Sequence, residues 1–186
     1  MAPLDALMRR LPRRRTALKV VHWSMLPLVI WFFVVTPEDT VRGGPWLVAL
    51  HSDLGLVFTS LSLLWVADWM RRGLASRPGP KLRGWARPAH RAMHTALIGG
   101  LGVLALTGFG LGLTSAVMLK AGGIVPIAPP LGLPAANEVV GAVHAAVFYA
   151  LFALVAAHAL FHLWRHVALN DGALRIMMPR ALHRFL

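Results

Sequence analysis

Four long apolar runs, divided by short segments that hold most of the charge, constrain this chain more than any other feature. They read roughly Ala17 to Val35, Trp46 to Met70, Pro88 to Leu119 and Glu138 to Leu169. Each is close to or longer than the ~20 apolar residues that carry a helix across a bilayer. Backbone polar groups in lipid must be satisfied within the segment, so runs of this kind fold as helices. Composition agrees, since 57% of the 186 residues are hydrophobic and only 14% are charged. The expected fold is all-α, an integral-membrane four-helix bundle, with residues 1–186 forming a single domain.

The net charge of +12 is distributed unevenly. Arg9, Arg10, Arg13, Arg14 and Arg15 precede the first run, with Lys19 at its edge. The connection between the second and third runs carries Arg71, Arg72, Arg77, Lys81, Arg83 and Arg87, and the tail carries Arg165, Arg175, Arg180 and Arg184. The other two connections offer only Arg42 and Lys120, beside Glu38, Asp39 and Glu138. By the positive-inside rule both termini are cytoplasmic. The same asymmetry explains the charge without a nucleic-acid partner. The first run is followed by PEDTVRGGPW, which offers no small-residue cleavage site, and it reads as a retained helix. The stretch AGGIVPIAPPLGLPAANE reads as an irregular external loop over the bundle mouth. The chain has no cysteine, which excludes disulfides, iron–sulfur clusters, thiol nucleophiles and covalent haem attachment.

Four of nine histidines lie at matched depths inside the apolar runs. Ionisable residues there are costly and mark functional sites. With both ends inside, the fourth helix descends from outside, so His144 is near the external face. His158 follows fourteen residues later, about 21 Å deeper and nearly on the same face. His51 is level with His144, and His22 is level with His158. Neutral imidazoles are common axial ligands of haem iron, so His51 with His144 and His22 with His158 are two candidate clamps. Gly55, one turn after His51, leaves room for a porphyrin. Gly99, Gly100, Gly102, Gly108, Gly110 and Gly112 make the third helix lean, through either porphyrin clearance or small-residue helix contacts.

The remaining histidines carry alternatives. His162, one turn after His158, is the rival inner ligand. His90 and His94 begin the third helix and have three readings: a contact to a haem propionate, a contact to a quinone headgroup, or a plain interfacial role. His166 and His183 read as solvated. Asp53 reads as a proton relay, a partner for a neighbouring polar group, or an interfacial carboxylate. Lys19, Arg91 and Arg165 are either propionate partners or topology-setting cations. Most of the seven tryptophans fall near span ends, the usual membrane belt.

In these residues the chain resembles the bacterial cytochrome b561 family. The resemblance rests on His22-Trp23 after a basic start, on His51 with Gly55, and on His144 and His158 at their spacing. It also includes the tail NDGALRIMMPR with Asp171, Leu174, Arg175 and Met177-Met178-Pro179-Arg180. It implies a multi-pass protein of the bacterial inner membrane, with two haem b on His22, His51, His144 and His158. It also implies electron exchange with the ubiquinone pool, with superoxide as the donor associated with the group. A second class stays open: a haem-bearing membrane-anchor subunit serving a separate periplasmic oxidoreductase or c-type cytochrome. A haem-free helical scaffold is the third.

Overall fold

The computed structural model describes residues 13–178 and 180–185, so Arg9, Arg10 and Pro179 lie outside the described residues. Four helices are long and apolar enough to cross a membrane: α1 (Arg14–Val34), α3 (Pro45–Arg72), α4 (Ala86–Thr114) and α5 (Pro134–Ala168). Short helices α2 (Pro37–Gly43) and α6 (Ala173–Met177) and a 3₁₀ turn (Arg180–Phe185) are the other helical elements among the described residues. Many of the long helices' large side chains face outward, among them Leu64, Leu106 and Leu160. In a spanning bundle this surface meets lipid, which is as apolar as the side chains themselves.

The helix starts follow local chemistry. Pro45 and Pro134 open α3 and α5, where a missing N–H costs nothing. Thr36 and Asp39 form a reciprocal cap at α2. The Asp39 carboxylate accepts the Thr36 N–H, and the Asp39 N–H donates to the Thr36 hydroxyl. The Thr36 N–H thereby holds the Asp39 carboxyl below the usual carboxylate range.

The third span stops five residues before the expected boundary. After Ser115 the chain enters an antiparallel hairpin, β1 (Leu119–Ala121) with β2 (Val125–Ala128), instead of an irregular loop. Gly122 and Gly123 turn it with positive φ, and the Gly122 N–H donates to Asp53 Oδ1 at 2.8 Å. Asp53 therefore ties the hairpin to α3, which is the polar-partner reading of that carboxylate.

Helix packing is closest between α4 and α5, then between α3 and α4. Glycines on this seam have a mechanical role. A Cβ at Gly100 would stand 2.8 Å from Leu151 Cδ1 of α5, while off the seam one at Gly112 would stand 2.7 Å from Leu119 Cδ2 of the hairpin. Here small residues let neighbouring side chains close up. The buried core comprises Met25, Phe58, Leu104 and Leu151, one from each long helix.

The opposite end of the bundle is held by polar ties. Arg14 forks onto Asp68 at 2.8–3.1 Å, joining the start of α1 to the end of α3. Lys81 donates to the carbonyls of Leu169 and Asn170. Trp23 Nε1 and Lys19 Nζ donate to the carbonyls of Met177 and Met178, binding α1 to the tail. Arg165 and Asp171 form a fully buried pair at 2.7 Å, and Asp171 also accepts the Ala173 N–H. Lys19 and Arg165 are thus engaged with the protein itself.

Candidate cofactor site

The histidines fall into two groups at the two ends of the apolar core. His51 of α3, two residues before the Asp53 that holds the hairpin, and His144 of α5 lie toward the hairpin end, whereas His22 of α1 and His158 of α5 lie toward the other. Between the groups lies the Met25, Phe58, Leu104 and Leu151 layer. Trp65 follows His51 by fourteen residues, the spacing that separates His144 from His158. It occupies on α3 the level that a second histidine occupies on α5, and its ring lies 6.1 Å from His22.

At the hairpin end, Phe32 and Trp31 pack against His51 with centroids at 5.0 and 5.9 Å. His144 is fixed more tightly. Its Nδ1 is 3.0 Å from Thr107 Oγ1, and a Cβ at Gly108 would lie 3.2 Å from its Cε1. The Thr107 hydroxyl has one proton, which it directs to the carbonyls of Val103 and Leu104 at 3.0 and 3.1 Å. Its oxygen can then accept from His144 Nδ1–H, an arrangement in which the neutral ring carries its proton on Nδ1. Nε2 then holds the lone pair, the tautomer that metal ligation through Nε2 requires.

The inner group is larger than a pair. His94 lies 4.8 Å from His158 and 5.5 Å from His162, ring centroid to centroid. His158 and His162 are 4.5 Å apart, and His90 sits 4.2 Å from His94. His90 is 0% exposed, and its Nε2 meets Ser76 Oγ at 3.1 Å. The connection after α3 thus folds over His90 and covers it. Sequence reasoning missed Ser76 and Thr107, because each becomes a partner only through tertiary packing. Their local signal was weak: a serine beside a proline-rich stretch, and a hydroxyl in an apolar helix one residue before a glycine.

These residues suit a planar group with imidazoles on both faces. Neutral imidazole is the right donor for haem iron, and Nδ1 of His22, His51 and His158 is buried with no hydrogen-bond partner within the protein, so no bond at Nδ1 orients these rings as Thr107 orients His144. A Cβ at Gly55 would meet nothing within 4 Å, so the space beside His51 is open. α1 packs mainly on α3 and meets α5 through a few contacts, such as the stacked Phe33 and Phe152. The donor set and the clearance both fit haem b.

No curated protein sequence matches the chain. A family model described as prokaryotic cytochrome b561 matches residues 13–180, nearly the whole length. With four apolar spans and histidines gathered at two levels, the chain belongs to the prokaryotic cytochrome b561 family: multi-pass membrane proteins that bind haem b and transfer electrons.

Proposed function

We propose that this chain is a di-haem cytochrome of the inner membrane, folded as one domain with both termini cytoplasmic. It moves electrons between a donor on the periplasmic, hairpin side and the ubiquinone pool. His51 and His144 are the axial ligands of one haem b, and His22 and His158 those of the other. The observation that carries this reading is the two-level arrangement of histidines on α1, α3 and α5, with a packed apolar layer between the levels.

Haem b, when bound, supplies a one-electron redox centre. The protein's own residues supply the rest. Thr107 keeps the His144 proton on Nδ1 and its Nε2 lone pair free. Gly55 and Gly108 provide clearance, the first for the macrocycle and the second for the His144 ring. Phe32, Trp31 and Trp65 wall the imidazoles against lipid and water. Met25, Phe58, Leu104 and Leu151 keep water out of the space between the two levels. Superoxide is the donor suggested by the family resemblance, although Arg42 and Lys120 on that side are matched by Glu38, Asp39 and Glu138, which argues against strong electrostatic steering of an anion.

One observation favours the anchor-subunit alternative. The hairpin end exposes apolar side chains beyond the helix, with Ile124 82% and Val117 75% accessible, as a docking face for a periplasmic redox partner would. The two readings separate under anaerobic mixing of the purified protein with a short-chain ubiquinol. Haem reduction by quinol alone, with reoxidation by added quinone, supports the independent enzyme. Failure to exchange with quinol or superoxide until a co-purifying redox protein is added supports the anchor.

A further inference from the structure

Three imidazoles at the inner end are left without a task by the haem assignment. One ring nitrogen from each of His90, His94 and His162 lies within 4.8 Å of the other two. His90 and His94 are four residues apart, hence on one face of α4, and His162 comes from α5 opposite. Their hydrogen bonds decide which nitrogens are free. A carbonyl only accepts, so the 2.7 Å contact of His94 Nδ1 with the His90 carbonyl puts the His94 proton on Nδ1 and the lone pair on Nε2. His90 engages Ser76 through Nε2, while its Nδ1 is buried without a partner. His162 Nε2 is likewise buried and unpartnered. Unsatisfied buried polar atoms are uncommon in native structures and call for a ligand.

We infer that His90, His94 and His162 form a second metal site, distinct from the haems, for a divalent transition ion of the Zn²⁺ or Cu²⁺ class. Three neutral imidazoles match the preference of these ions, and the fourth position is left to a water or an exogenous ligand. Hard cations such as Mg²⁺ are disfavoured by the all-nitrogen set. The nearby Arg165 charge is offset by Asp171 at 2.7 Å, which leaves Arg91, next to His90 in sequence, as the other cation acting on His90. Ser76 on His90 and the His90 carbonyl on His94 are the outer hydrogen bonds that orient ligating imidazoles. The bound ion staples α4 to α5 beside the inner haem level. The site rests on His158, not His162, serving as the inner haem ligand.

The test uses haem-loaded protein in detergent. It is equilibrated with Zn²⁺, desalted, and its zinc counted against protein and haem iron. The wild type should retain one zinc per chain. His90→Gln, His94→Gln and His162→Gln should each weaken binding more than tenfold while keeping the wild-type haem count, and His183→Gln should change nothing. Cu²⁺ electron paramagnetic resonance on the wild type needs no variant and should report imidazole nitrogens as the dominant donors. The site is overturned if no zinc is retained, if zinc survives in all three variants, or if copper shows oxygen-dominated coordination. Loss of a haem in His162→Gln also overturns it, because the cluster would then belong to the haem site. The haem reading fails separately, if His158→Ala keeps both haems, and the zinc result is scored on the same three variants either way.

Discussion

Thr107 Oγ1 stands 3.0 Å from His144 Nδ1 and has the α4 carbonyls of Val103 and Leu104 to take its own proton, an arrangement that favours the lone pair on Nε2 of the imidazole. Removing that hydroxyl takes one partner from Nδ1, leaving the Leu104 carbonyl beside it, and makes the ring a less basic ligand. Thr107→Val should raise the midpoint potential of the hairpin-side haem and weaken its retention roughly 10- to 100-fold. Thr107→Ser should restore both. Redox titration monitored by visible spectra checks this, and the other haem's potential should not move.

The axial assignments separate by level. His51→Ala or His144→Ala should remove the hairpin-side haem and leave the other in place. His22→Ala or His158→Ala should do the reverse, halving the haem content in each case. Haem extracted per mole of protein is the readout. Loss of haem in His162→Ala with retention in His158→Ala would exchange those two residues in the account.

Gly55 tests clearance against packing. A Cβ there meets nothing within 4 Å, so the first atom of a larger side chain is accommodated without displacing a neighbour. Gly55→Leu should leave expression and helical content unchanged while displacing the haem held by His51. Gly108→Ala acts differently: its Cβ would press on His144 at 3.2 Å, shifting the spectrum of that haem before any haem is lost.

The Arg165–Asp171 pair tests what holds the tail. Both side chains are almost fully buried, at 1% and 3% exposure. Breaking such a pair leaves a buried charge uncompensated and costs about 3–5 kcal/mol. Asp171→Asn should therefore lower the thermal midpoint of the detergent-solubilised protein markedly. Arg72→Ala, at the exposed partner of Asp68, should change it little, because surface pairs contribute about 0–1 kcal/mol.

The spans were legible in the sequence because length and polarity are properties of each segment by itself. The α4 end was not, since Leu119 is apolar enough to continue a helix. It leaves the helix because it pairs with Ala128 in the hairpin, and a Gly122 bond to Asp53 anchors the turn. The levels of His22, His51, His144 and His158 followed from helix rise and topology. The surroundings of His90 did not, because Ser76 covers it from a connection whose path no periodicity reports. Thr107 was hidden for a related reason: its meeting with His144 depends on the register between α4 and α5. Most glycines of α4 proved to be packing contacts, whereas Gly55 and Gly99 border open space.

The most direct test of the central claim is the haem-to-protein ratio of the purified chain, with oxidised and dithionite-reduced spectra. Two low-spin haem b per chain, with bis-histidine signatures in both redox states, is the result expected from two imidazole pairs at two levels. One haem or none would contradict it.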